Sequence, residues 1–173
     1  MQVFYVGDDL PNLGRTEGIF LAGPTPRSPD VQTWRKEALQ ILEDLDYEGA
    51  VYIPETVDWN WLGDYNGQVT WEWRALAQSK VTLFWMPRDL KDMPAFTTNV
   101  EFGFIAAFRP MDLVLGYPEG APKNRYLASI CEQAQYFHLL FKSSACRPGY
   151  KIPRASSLRE TLTAAVGKAN ARD

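Results

Sequence analysis

The sequence contains little cysteine and histidine, which limits the kinds of site it can form. Among 173 residues there are two cysteines, Cys131 and Cys146, and one histidine, His138. These side chains are too few for a four-ligand zinc site of cysteine and histidine alone, and the cysteines do not stand in a paired spacing. The sequence therefore predicts neither a structural zinc site nor a disulfide scaffold, and it favours a reducing compartment.

Long apolar runs and an excess of one charge are also missing. Without a run of about 18 apolar residues, no membrane-spanning helix is predicted. The first residues include Asp8, Asp9 and Glu17 and lack the basic-then-apolar pattern of a signal peptide. The net charge of −3, with both signs interspersed, disfavours a surface for nucleic acid. We therefore expect a cytoplasmic protein that binds a small molecule, not a nucleic acid or a membrane.

The apolar sequence that is present suffices for one α/β domain. Hydrophobic residues make up 46% of the chain, and its length predicts a single domain over residues 1–173, with a frayed tail at about 167–173. Short apolar runs alternate with helical repeats, which predicts a mostly parallel sheet with right-handed crossovers. The predicted strands are 3–6, 18–22, 50–53, 80–86 and 113–115. The predicted helices are 29–45 capped by Ser28, 67–78, 98–108, 124–141 with a strand as the alternative at 136–141, and 156–166.

Loops that follow two of the predicted strands carry candidate binding residues at one edge of the sheet, where open α/β sheets bind ligands. In the first loop, Gly23, Pro24 and Thr25 precede Arg27 and Ser28, next to a predicted helix start. This combination could hold an anion or sugar hydroxyls, or it could be a tight turn whose arginine points into solvent. The second loop, 54–68, mixes aromatic and polar side chains that could stack on a planar ring, although core packing explains a tryptophan equally well. They are Trp59, Trp61, Asp64, Tyr65, Asn66 and Gln68.

A third loop, 89–98, leads to Glu101 at the start of a predicted helix. Long loops at such edges are often lids, and Phe96, Thr98 and Asn99 lie where they could contact a ligand. The helix dipole and backbone N–H groups would keep Glu101 ionised and available as a nucleophile. The same segment fits a capping box, in which Thr98 caps the helix and Glu101 bonds back to the N–H of the cap residue. The segment by itself leaves both interpretations open.

Four groups of residues occur in an order and spacing that resemble a known family. They are Phe-Leu-Ala-Gly-Pro at 20–24, Asp64-Tyr65 with Gln68 and Trp71-Glu72, Leu83-Phe84-Trp85 with Pro87-Arg88, and Thr-Thr-Asn-Val-Glu-Phe-Gly at 97–103. Together they resemble the nucleoside 2-deoxyribosyltransferase family over about residues 18–127. The resemblance implies a flavodoxin-like three-layer α/β/α fold with roughly five strands, and a homodimer or higher homo-oligomer whose neighbouring subunit helps close each site.

The resemblance also implies transfer of 2-deoxyribose between nucleobases, with a nucleoside and a free nucleobase as substrates. Glu101 matches the family's nucleophile in a Glu-x-Gly motif. It would attack C1′ to form a glycosyl ester that an incoming base resolves with net retention, and this chemistry requires no metal or organic cofactor. The candidate substrate-binding residues are Gly23, Pro24, Thr25, Arg27, Trp59, Tyr65, Gln68, Phe96, Thr98 and Asn99.

The sequence departs from the family at two positions that handle the base. Many members carry an aspartate just before the third strand and another ahead of the nucleophile, whereas this chain has Lys80 and Ala-Phe-Thr at 95–97. Two carboxylates are the candidates to assist as acid or base: Glu72, which lies on the apolar face of its helix, and Asp64. The alternative role of Glu72 is a salt bridge to Arg74 or Lys80. An N-glycosidase acting on deoxynucleosides or their 5′-monophosphates and a non-catalytic nucleotide-binding module are the competing functions.

Overall fold

The computed structural model describes residues 1–11, 18–57, 63–134, 136 and 149–171. Within these ranges the chain forms a six-stranded sheet in which all neighbouring strands are parallel. The strands are β1 Gln2–Tyr5, β2 Ile19–Ala22, β3 Ala50–Ile53, β4 Val81–Trp85, β5 Leu113–Gly116 and β6 Arg154–Ala155, in the spatial order β1-β3-β2-β4-β5-β6.

Five α-helices in the described ranges cover both faces of this sheet. They are α1 Arg35–Asp44, α2 Tyr65–Gln78, α3 Phe96–Phe108, α4 Arg125–Glu132 and α5 Leu158–Asn170. One hydrophobic cluster joins α2, α3 and α4 to one face of the sheet, and a second joins α1 and α5 to the other. Every residue of β2 and β4 is buried because helices cover both faces, which explains their continuous apolar sequences. The predicted three-layer α/β/α, flavodoxin-like fold is confirmed.

The sheet differs from the prediction in its number of strands. It has six strands, all parallel, because β6 adds to the edge beside β5. At two residues, β6 is too short to show a hydrophobic pattern. The chain runs from β2 to β3 on one side and then returns to β4 on the other side of β2. This reversal opens a crevice at the carboxyl ends of β2 and β4.

Helix boundaries account for the other differences. The prediction that a helix begins after Ser28 is wrong, because α1 begins at Arg35. Ser28 instead forms a local turn, in which its Oγ accepts a hydrogen bond from the N–H of Asp30 at 3.2 Å. At the other end of the chain, α5 continues to Asn170, four residues beyond the predicted end at 166, and Ala169 is buried. The alternative strand at 136–141 lies, apart from Tyr136, outside the described residues.

None of the helices in the described ranges has both the length and the apolar composition needed to span a membrane.

Candidate active site

The crevice between β2 and β4 is a cleft of about 270 Å³. Its walls come from the loop after β2, the first half of α2, and the start of α3 with the loop before it. Most of the residues predicted to form the site lie here. The cleft is lined by Gly23, Pro24, Thr25, Arg27, Pro54, Tyr65, Gln68, Val69, Glu72, Pro94, Ala95, Phe96, Thr97, Thr98 and Glu101.

Two of the described candidates are not brought to the lining of this cleft. Asp64 is exposed at the N-cap position of α2. Asn99 turns to the neighbouring loop, where its Oδ1 accepts a hydrogen bond from Arg88 Nη2 at 2.6 Å. Trp59 lies outside the described residues. Of the nine predicted substrate-binding residues that the structure describes, eight line the cleft: Gly23, Pro24, Thr25, Arg27, Tyr65, Gln68, Phe96 and Thr98.

The start of α3 decides between the two interpretations of Glu101. The helix begins at Phe96, two residues earlier than predicted, and the residue before it, Ala95, takes the left-handed conformation with φ 60° and ψ 40°. No side chain caps this helix, and Thr98 is buried within its first turn. Glu101 is the sixth residue of α3, beyond the reach of the cap. The capping-box interpretation is wrong, and the Glu101 side chain lines the cleft instead.

The electrostatics of Glu101 also differ from the sequence-based expectation. Burial raises the pKa of Glu101 to about 7, the charge of Glu72 acts in the same direction, and the charge of Arg35 opposes them. The expectation that the helix dipole keeps this carboxyl fully ionised is wrong, because Glu101 stands in the second turn and the dipole acts mainly on the first. Near neutral pH, Glu101 is close to the midpoint of its titration.

Glu72 is the second carboxyl of the cleft. Burial raises the pKa of Glu72, while the Gln68 side chain, which donates a hydrogen bond from Nε2 to Glu72 Oε1 at 3.0 Å, lowers it. The Glu72 carboxyl is therefore bonded to Gln68 and not to Arg74 or Lys80, and Lys80 Nζ instead donates to the carbonyl of Ala171. Two interacting carboxyls with raised pKa values can share one proton near neutral pH.

A buried arginine that the sequence analysis did not identify supports the wall of the cleft. Arg35, the first residue of α1, is 1% exposed. Its Nε donates to the Leu21 carbonyl at 3.0 Å, its Nη2 to the Gly23 carbonyl at 2.9 Å, and its Nη1 to Glu55 Oε1 at 2.5 Å. A signal was present in the sequence, because Arg35, Ala38 and Leu42 share the buried face of α1 at i, i+3 and i+7.

Gly23 brings the backbone of this wall close to its neighbours. A Cβ at this position would lie 2.3 Å from the carbonyl oxygen of Trp85 and 2.7 Å from Cζ2 of Trp34. The indole of Trp34 also donates from Nε1 to the Pro24 carbonyl at 3.1 Å. The loop after β2 is thus packed between β4 and the residue before α1, where a side chain on Gly23 would push the wall outward.

The loop after β2 contacts the opposite rim of the cleft, which is formed by the loop before α3 and the first residue of α3. Arg27 donates its backbone N–H to the Asp92 carbonyl at 3.0 Å, and its guanidinium lies 5.7 Å from the ring centroid of Phe96. The carboxylate of Asp89 accepts hydrogen bonds from the backbone N–H groups of Lys91 and Asp92, both at 2.8 Å. Because α1 begins at Arg35, Arg27 does not stand at the start of α1 as predicted; it lies instead over the ring of Phe96, the first residue of α3.

Metal-binding side chains do not cluster in the described part of the chain. No group of three or more histidine, cysteine, aspartate or glutamate side chains there is placed to hold a metal ion.

Comparison with known proteins identifies a relationship over the region that forms the cleft. A family model described as "Nucleoside 2-deoxyribosyltransferase like" matches residues 16–119. The matched region runs from β2 to β5, so it includes both walls of the cleft, Glu72 and Glu101. No curated protein matches the chain.

Proposed function

The chain belongs to the nucleoside 2-deoxyribosyltransferase-like family, and on that basis we propose that it transfers 2-deoxyribose between nucleobases through a covalent ester on Glu101. The observation that carries the proposal is the pair of partly buried carboxyls, Glu101 and Glu72, that line one cleft at the reversal point of the sheet. Such a pair can supply a nucleophile and an acid. A nucleoside and a free nucleobase are the proposed substrates.

The proposed reaction is a double displacement. The Glu101 carboxylate attacks C1′ while the bond from C1′ to the base nitrogen breaks, and the leaving base takes up a proton. A nitrogen of the incoming base then attacks C1′, the ester bond breaks, and the Glu101 carboxylate is regenerated, while the proton of that nitrogen returns to the group that protonated the leaving base. Two inversions give net retention. A sugar without a 2′-hydroxyl favours this reaction because it better tolerates the positive charge that develops at C1′.

Glu72 is the proposed source of the proton for the leaving base. The productive state of the pair has Glu101 ionised and Glu72 protonated, and burial of Glu72 favours its neutral form. Gln68 holds the Glu72 side chain in place through its hydrogen bond. Asp64 is the weaker candidate for this role because it is exposed and does not line the cleft.

We expect kcat/KM for base exchange to pass through a maximum near neutral pH, because the productive state holds one proton on the pair Glu101 and Glu72, and burial raises the pKa of Glu101 to about 7. The rate should fall by up to about tenfold per pH unit on the acid side, where both carboxyls are protonated and Glu101 cannot attack C1′, and again on the alkaline side, where Glu72 has lost its proton. The measurement is the initial rate of exchange between deoxyinosine and adenine from pH 5 to 9. A rate that stays constant down to pH 5 would contradict the assignment of Glu101 as the titrating nucleophile.

Hydrolysis is the second candidate function, in which water resolves the same glycosyl ester. The observation that favours it is that Ala95, Phe96 and Thr97 line the cleft where the resemblance implies a base-handling aspartate. Lys80 does not bear on this choice, because it precedes β4 at the opposite edge of the sheet and donates to the carbonyl of Ala171. Incubation with deoxyinosine, with and without adenine, separates the candidates. Deoxyadenosine indicates a transferase, free deoxyribose without exchange indicates a hydrolase, and the absence of both indicates a nucleotide-binding module without turnover.

Arg27→Ala should change nucleoside exchange only modestly, and the wild-type protein should prefer the nucleoside over its 5′-monophosphate. The Arg27 guanidinium lies over the ring of Phe96 at the lining of the cleft, and a free nucleoside carries no phosphate for it to bind. The measurement is kcat/KM for both substrates in both proteins. A strong preference for the monophosphate that Arg27→Ala removes, at a loss of about 1.5–3 kcal/mol, would instead support a nucleotide hydrolase.

We also propose that the protein is a homodimer or a higher homo-oligomer. Phe96, Val100, Phe104 and Phe108 recur every four residues along α3, so they form one stripe, and their exposed fractions are 69%, 61%, 46% and 58%. Trp73 of α2 extends the stripe, with its ring edge-on to Phe104 at 5.7 Å. A continuous apolar surface of this kind marks a protein interface. Because Phe96 also lines the cleft, a second copy on the stripe would lie at the mouth of the site.

Phe104→Glu should therefore convert the oligomer into monomers. A carboxylate in the centre of the stripe would have to lose its hydration when two copies meet, which opposes association. Light scattering after size-exclusion chromatography measures the change in mass. Thr163→Glu, at an exposed position of α5 on the other face of the sheet, is the matched control and should leave the mass unchanged. A wild-type protein that is already monomeric at micromolar concentration would refute the proposal.

A further inference from the structure

Arg35 connects the wall of the cleft to a buried acidic partner. Its guanidinium donates from Nη1 to the Glu55 carboxylate, and from Nε and Nη2 to the carbonyls of Leu21 and Gly23 in the wall of the cleft. Glu55 is buried after β3 and also accepts hydrogen bonds from Thr33 Oγ1, at 2.8 and 3.0 Å. The planar guanidinium of an arginine can donate to the carboxylate and to the two carbonyls at once, whereas the ammonium of a lysine is a single compact donor.

Arg35 is also placed to act on the charge of the cleft. The ionisable residues around Glu101 among the described residues are Tyr65 and Glu72 from α2, Arg35 from α1 and Arg27 from the loop after β2. Arg88, after β4, is bonded to Asn99. Arg27 is exposed, so water screens its charge. The charge of Arg35 acts from within the protein, where screening is weaker. It is the cation that opposes the effects of burial and of Glu72 on Glu101.

We propose that Arg35 is a positioning residue of this active site, which holds the loop that forms one wall of the cleft and places a buried positive charge behind that wall. This inference rests on the proposed function, in which Glu101 is the nucleophile. Arg35 does not line the cleft around Glu101, so it acts through the backbone of residues 21–24 and through its electric field. A purely structural arginine would support the loop and leave the titration of Glu101 unchanged.

The test separates the charge of Arg35 from its packing. Arg35→Met/Glu55→Met replaces the buried pair with apolar side chains and avoids leaving one charge unpaired, which guards against unfolding. Glu55→Gln breaks the same ion pair but keeps the charge of Arg35, and is the matched control. The titration of Glu101 is followed by NMR in protein labelled with ¹³C at the glutamate carboxyls, and its signal is assigned as the one that disappears in Glu101→Gln.

We expect the titration midpoint of Glu101 to rise in the double variant by less than about 1 pH unit, because loss of the Arg35 charge raises the midpoint and loss of the Glu55 charge offsets part of that rise. In Glu55→Gln the midpoint should stay the same or fall, because the positive charge is kept and its acidic partner is gone. The acid limb of the exchange rate should move with the NMR midpoint in each variant.

An unchanged midpoint in the double variant, or an equal rise in Glu55→Gln, would overturn the inference and leave Arg35 with a structural role only. The NMR midpoint does not depend on turnover. If it shifts as expected while the wild-type protein neither exchanges nor hydrolyses nucleosides, the effect of Arg35 on Glu101 stands and the proposed function fails.

Discussion

Glu101→Gln should abolish base exchange while making the folded protein more stable at alkaline pH. An amide cannot form the glycosyl ester, so we expect the rate to fall by about three orders of magnitude or more, as it does when a covalent nucleophile is removed. The stability effect has a separate cause. Burial of the carboxyl raises the pKa of Glu101 from 4.5 to about 7, which means that its charged form is unfavourable in the folded state.

The pH dependence of stability follows from this direction. The folded state holds the proton of Glu101 more tightly than the unfolded state does. The free energy of unfolding therefore decreases as the pH rises from about 4.5 to 7, and the destabilisation by the ionised carboxylate is fully present above pH 7. A neutral amide avoids the cost, and Glu101→Gln should gain about 1–3 kcal/mol at pH 8.5 and little at pH 4.

Urea unfolding at the two pH values measures this difference. Glu37→Gln, an exposed glutamate on α1, is the control and should change stability little at either pH. If Glu101→Gln retained activity and lost stability at both pH values, the carboxylate would have a structural role and the nucleophile assignment would be wrong.

Arg35→Met should lower the free energy of unfolding by about 3–5 kcal/mol, the usual cost of removing one partner of a buried ion pair. The substitution leaves the Glu55 carboxylate buried without its cation and removes the donors to the carbonyls of Leu21 and Gly23. The loss should be partly recovered in Arg35→Met/Glu55→Met, because the double variant has no unpaired buried charge.

A double-mutant cycle with the two single variants and the double variant measures the coupling between the side chains. Arg159 and Asp44 provide a matched comparison, since this pair also lies at 2.5 Å but both side chains are about half exposed. Arg159→Met should cost less than about 1 kcal/mol. Similar small losses at both arginines would show that the buried pair does not stabilise the wall of the cleft.

Local patterns in the sequence were sufficient for five of the six strands and for most of the cleft. The apolar runs at Ile19–Ala22 and Val81–Trp85 predicted the two central strands, and the loops behind them predicted where a ligand site would open. The strand prediction depends on residues that are neighbours along the chain. The position of the site follows from a general rule of parallel sheets, in which a crevice forms at the carboxyl ends of the strands where the strand order reverses. Nothing in these steps required knowledge of distant contacts.

The tertiary structure decided the features that depend on distant contacts. Ser28 has the residue type of a helix cap, but α1 begins at Arg35 because the Ser28 hydroxyl is used in a local turn. The pairing of Arg35 with Glu55 joins residues 20 positions apart, and the pattern of either segment alone does not contain it. The charge state of Glu101 was likewise missed, because it depends on burial and on charges from α1 and α2. Backbone preferences act between neighbours in sequence, whereas desolvation and electrostatic fields act between neighbours in space.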